Sequence, residues 1–168
     1  MEPLQLYDYL TLARTRVLDA AAGLPEEMHT RVLPIGLGTI NATVIHVAMA
    51  EWFYVRRIAG LAVPPYDQWA FQYEKPPAFT VARAFWDEQA GETRRVLRGV
   101  SDWHAMIRYQ TLPDPGEESR EIKTTPDGIA TQLVLHEVHH RAQLMAMLRQ
   151  LGKPVEDLDF STMTYARR

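Results

Sequence analysis

Three of the chain's six histidines, His136, His139 and His140, fall within five residues. Each residue of a helix advances by ~100°, so His140 comes round to within ~40° of His136 on one face, while His139 lies ~60° to the other side. Two imidazoles on one helical turn can chelate a divalent ion, their ring nitrogens converging at bonding distances of ~2.0–2.1 Å. A third ligand has to come from another helix, and His46 is the best donor. Its own face carries Ala42, Thr43, Met49, Ala50 and Phe53, mostly small or apolar residues that leave room for a metal and a substrate. Three histidines with open coordination positions form the catalytic pattern, in which bound water or a substrate heteroatom is acidified toward neutrality. His29 and His104 fall in loops or at element ends and read as surface residues. His139 reads as a neighbour of the ligands or as a helix-surface residue.

The same segment supports two other readings. His136-Glu137-Val138-His139-His140 fits H-E-x-x-H, the zinc-protease helix in which the glutamate is general base. Its continuation, Arg141-Ala142-Gln143-Leu144, lacks the glycine and third histidine of the metzincins, and only 28 residues follow His140. Glu137 and His140 also make Glu-x-x-His, half of a di-iron bundle site, but the only other copy, Glu26 to His29, sits in a proline-started loop. Under the three-histidine reading, Glu137 and Glu51 are the nearest candidates for a proton acceptor or for a partner that orients the ligands. Arg141 is a candidate anchor for an anionic substrate, although a helical arginine is more often solvated or ion-paired.

The remaining composition narrows the class. The chain has 168 residues, no cysteine and a net charge of −3. That length fits one domain, residues 1–168, with a core large enough to need no staples. Without cysteine there are no disulfides, no thiolate-held zinc or iron–sulfur clusters, and no thiol nucleophile. Slight acidity argues against a nucleic-acid partner. No run approaches the ~18 apolar residues of a membrane span, and the acidic Met1-Glu2-Pro3 start is unlike a signal peptide, so a cytoplasmic protein with no membrane partner is expected.

Four long helices must position these side chains. Apolar residues recur at three- and four-residue steps over 4–22 until Gly23-Leu24-Pro25 stops them. After a loop over 33–38, Thr39 suits the N-cap of a second helix running to Ala59 and closed by Gly60, its first half apolar all round and therefore buried. Pro64, Pro65, Pro76 and Pro77 bracket Tyr66, Trp69, Phe71 and Tyr73, a loop that packs on the end of the helices or caps a cavity there. A third helix spans 80–100 with Phe85, Ala90, Val96 and Leu97 inward. Segments 103–111 and 119–124 flank Pro113-Asp114-Pro115-Gly116 and read as a two-stranded excursion. Thr125 and Pro126 open a fourth helix that ends at Gly152 and Pro154, and the tail from Val155 is mixed and polar. The expected fold is all-α, a four-helix bundle with a short hairpin-like insertion before the last helix.

The run Asn41-Ala42-Thr43-Val44-Ile45-His46-Val47-Ala48-Met49-Ala50-Glu51-Trp52, followed much later by His136-x3-His140-Arg141-Ala142-Gln143-Leu144, resembles the DinB/YfiT-like family over almost the whole chain. Ala142 stands where that pattern more often has glycine, and His139 is additional. The resemblance implies a four-helix bundle, often a homodimer, with a three-histidine site for zinc, nickel or iron. It implies an enzyme similar to metal-dependent transferases that activate low-molecular-weight thiols such as bacillithiol, mycothiol or glutathione toward a small electrophile. The family name records induction by DNA damage, which places such proteins in a stress response. The competing class is a non-catalytic metal-binding or dimeric bundle.

Overall fold

The computed structural model describes residues 2–111, 118–156 and 158–165. It is mostly helical, with one small antiparallel sheet. Four long helices carry the fold: α1 (Pro3–Ala22), α3 (Ile40–Ile58), α4 (Phe79–Gly99) and α5 (Pro126–Gln150). Two short ones join them, α2 (Glu26–His29) and α6 (Phe160–Thr164). Helix α3 packs on α4 and α5, and α1 packs on the same two, so buried side chains from all four form one continuous core.

The expected helix starts hold, and for the expected reason. Thr39 accepts a hydrogen bond from the Ala42 amide at 3.1 Å, and Thr125 accepts one from the Gly128 amide at 3.1 Å, each satisfying a donor that the first turn leaves orphaned. Helix α3 is buried through its first half, Ile40 to Ile45, as its uniform apolarity requires. In α4 the inward face is centred on Ala82, Trp86, Ala90, Thr93 and Leu97, while Phe85 and Val96 are only half-buried at its edge. The tail that reads as polar contains α6: Asp159 caps it, Tyr9 donates to the Leu158 carbonyl at 2.7 Å, and the Phe160 ring meets Tyr9 edge-on.

The insertion before α5 is a hairpin of β1 (Ile107–Gln110) and β2 (Glu121–Thr124), with Tyr109 opposite Ile122. It is shorter than the periodicity suggests, because residues 101–106 form turns, one of them held by the Asp102 carboxylate on the His104 amide. The expected turn over Pro113 to Gly116 lies outside the described residues.

The core stripe of α5 runs through Leu133, Glu137, Arg141, Leu144 and Leu148. Charged residues therefore occupy core positions, and His136 and His140 stand half-buried beside them. What makes Glu137 tolerable is Arg14 of α1. Its Nη2 donates to Glu51 at 2.7 Å and to Glu137 at 2.5 Å, its Nε reaches Glu137 at 3.2 Å, and its guanidinium lies 4.1 Å from the Trp86 ring centre. Glu51 also accepts from Tyr7 (2.5 Å), Thr93 (2.6 Å) and Trp86 (2.8 Å). All three charged side chains are at most 4% exposed. Burial opposes the charge on Arg14, but Glu137 and Glu51 more than restore it; burial and the Glu51 charge keep the Tyr7 hydroxyl protonated and donating.

Removing one member of such a network strands the others without water, at a cost of about 3–5 kcal/mol. Arg14→Met is expected to lower unfolding free energy by that order in urea titration. Adding Glu51→Gln and Glu137→Gln should return a large part of the loss, because the stranded charges are then gone.

Candidate metal centre

Helices α3 and α5 bring His46, His136 and His140 together. One ring nitrogen from each lies within 4.8 Å of the other two, and His46 Nε2 is 3.1 Å from His136 Nε2 across 90 residues of sequence. Two nitrogens bound tetrahedrally at ~2.0–2.1 Å from one zinc-like ion would sit roughly 3.3 Å apart. The observed spacing fits a shared divalent ion, and neutral imidazole is the donor such an ion takes. Burial and the neighbouring His140 hold His46 down to about 4 and His136 to about 3; burial, outweighing a hydrogen bond with Gln143, also holds His140 below its ordinary value. The rings therefore present lone pairs at neutral pH.

Gln143, one turn beyond His139, sets the orientation. Its Oε1 is 2.8 Å from His140 Nδ1, and its Nε2 is 2.9 Å from His139 Nε2. With Oε1 accepting, His140 carries its proton on Nδ1 and leaves Nε2 free for a metal. His139 itself is exposed and stands outside the three-histidine group, its ring edge-on to that of His140 at 4.9 Å between centres. The loop before α3 comes close enough to hold this amide in place: Gly36 has φ 50°, and a β-carbon there would fall 2.3 Å from Gln143 Oε1. Glycine suits that backbone conformation, and a side chain at position 36 would have to displace the Gln143 amide.

His46 and His136 open into a cavity of about 1030 Å³. Helix α3 contributes Phe53 and Tyr54 to its wall, the proline-bracketed loop contributes Tyr66, Trp69, Phe71 and Tyr73, and the hairpin contributes Tyr109 and Ile122. The aromatic loop, for which plain packing was the simpler expectation, lines the candidate site.

The two carboxylates expected near the ligands, Glu51 and Glu137, are both buried and both bonded to Arg14. Neither lines the large cavity, and both border a small void that His136 also lines. In a zinc-protease arrangement Glu137 would face the metal as general base; here Arg14 holds it. The half-motif of a di-iron site fails on the same contact. Arg141, for which solvation or ion pairing was the simpler expectation, is buried and donates to the Tyr9 hydroxyl at 2.8 Å. His29, expected at the surface, is 6% exposed, with Nε2 2.9 Å from the Ala21 carbonyl and its ring stacked on Phe79. His104 is exposed, as expected.

Two site residues escaped the sequence reading. Glu74 lines the cavity, accepts a hydrogen bond from Tyr66 at 2.7 Å and lies near enough to His46 to influence it electrostatically. A lone glutamate between prolines carries no periodic signal. Arg14 did have one: it is seven residues past Tyr7 and four past Leu10, on the apolar stripe of α1.

A helical chain with three convergent imidazoles, two of them lining a cavity, defines a candidate metal-binding protein. The family model described as the DinB family matches residues 1–167, and the chain belongs to that family. Among curated proteins no relative matches it.

Replacing Gln143 with leucine frees the His140 ring and is expected to weaken zinc binding about tenfold to a hundredfold, read by competition with a chelating dye. In the metal-free protein, imidazole resonances of His46 and His136 should not titrate between pH 8 and 5. The unfolded chain takes up those protons near its ordinary value of ~6.5. Folding stability of metal-free protein should therefore decline as pH falls from about 6.5 toward 4, seen as a falling urea midpoint.

Proposed function

We propose that this chain is a metal-dependent enzyme, a single-domain four-helix bundle in which His46, His136 and His140 hold one divalent ion and a low-molecular-weight thiol is transferred to a small electrophile. The observation that carries it is the placement of three ligand nitrogens within 4.8 Å of one another, with two of their histidines, His46 and His136, lining a cavity large enough for an organic substrate. When bound, the ion supplies a Lewis acid that favours the thiolate over the thiol at neutral pH.

The chain's residues supply the rest. Gln143 keeps the His140 proton on Nδ1, so that Nε2 stays a ligand. Glu51 and Glu137 act through Arg14, fixing α3 and α5 at the turns that carry His46 and His136; this favours the positioning role for both over that of proton acceptor. The aromatic wall excludes water from the histidines and packs against the substrate body. Because the protein has no cysteine, the thiol has to arrive as a cosubstrate.

The test uses protein purified without a polyhistidine tag. About one equivalent of divalent metal in the wild type, lost in His136→Ala, supports the site. Thiol-dependent consumption of a chlorinated or epoxide electrophile, abolished in the same variant, supports the reaction. Absence of metal from both proteins overturns the site, and metal without transfer to any electrophile leaves a binding protein.

A further inference from the structure

The cavity beside the histidines has walls of one chemical character and charge of one sign. Seven aromatic side chains line it: Phe53, Tyr54, Tyr66, Trp69, Phe71, Tyr73 and Tyr109. Several meet edge to face, Tyr66 on Trp69 at 5.1 Å between centres and Phe53 on Tyr109 at 6.2 Å, so both ring faces and ring edges surround the space. A planar aromatic body fits such walls through offset and edge contacts.

Charge then selects among aromatic molecules. The charged lining residues among those described are Asp67 and Glu74, both acidic and both exposed. Among the described residues no lysine or arginine lines it. Arg57 lies outside the lining; its guanidinium covers the Tyr109 ring at 4.4 Å and the Phe53 ring at 5.0 Å, and it donates to the Gln110 carbonyl. A carboxylate or phosphate on the substrate body would face Asp67 and Glu74 with no cation to pair with. An ammonium group would meet two carboxylates and the negative faces of the rings.

We propose that this cavity takes a compact aromatic molecule bearing an amine cation, and discriminates against anions of the same shape. The proposal deepens the function above by naming the class of its organic substrate. It rests on that reading only for catalysis, because binding in the cavity does not need the metal.

The experiment compares three molecules of one ring system and different charge: 2-naphthylmethylamine, 2-naphthalenemethanol and 2-naphthoate. Each is titrated calorimetrically into the full untagged chain at pH 7 after chelation, which removes any carboxylate–metal contact. The expected order is amine, then alcohol, then naphthoate, with at least tenfold between the first and the last. Replacing Asp67 with Asn and Glu74 with Gln together should bring the amine to within about threefold of the alcohol, in a variant whose circular dichroism spectrum shows that it is folded. Naphthoate bound as tightly as the amine, an amine preference that survives the double substitution, or no binding of any of the three overturns the proposal. Metal analysis of the same preparation before chelation reports on the histidine site separately, so the two readings fail independently.

Discussion

The structure depends on satisfying one buried carboxylate. Glu51 is 2% exposed, in the middle of a helix that is otherwise packed with apolar side chains. An unsolvated carboxylate is costly unless donors replace the water it has lost. Those donors come from elsewhere in the fold: Tyr7 and Arg14 from α1, Trp86 and Thr93 from α4. Arg14 in turn needs a second anion and takes Glu137 of α5. All four long helices are thereby tied to one point, and sliding any of them along its axis would break a hydrogen bond with no water to replace it. Apolar packing tolerates small shifts of register far better than this network does.

That constraint reaches the histidines through sequence proximity. Glu137 adjoins His136, and Glu51 follows His46 by little more than a helical turn. The network orients the helices at the turns that carry the histidines, whose ring nitrogens converge. Work is divided between the layers of the molecule: helices carry the histidines, while an irregular loop and a hairpin supply most of the wall that a substrate would touch. Helix backbones hold ligands to a fraction of an ångström, whereas loops vary in length and side chains without disturbing that frame.

Much of this frame is legible along the chain. Threonine caps at Thr39 and Thr125, a proline at the first turn of α5 and apolar steps of three and four residues identify the long helices, because these signals act within one or two turns. The short ones escape. α6 has five residues and holds through Tyr9, which is 149 residues away from Leu158. His29 looks like a loop residue until the end of α1 offers it a carbonyl and Phe79 of α4 offers it a ring. The i, i+4 relation of His136 and His140 is readable as geometry, but their placement beside the core stripe is not, since Glu137 and Arg141 enter that stripe only because Arg14 and Tyr9 are there to receive them.

The sequence by itself determined the long helices, the pairing of His136 with His140 on one face, and the choice of His46 as their partner; each follows from local helical geometry or from which residue types can bind a metal. Only the tertiary structure decided that Glu51 and Glu137 serve the core, that the aromatic loop walls the cavity, and that Asp67 and Glu74 set its charge. Those outcomes depend on which donors and rings lie opposite once the helices have packed, and a contact between residues dozens of positions apart leaves no periodic trace in the chain.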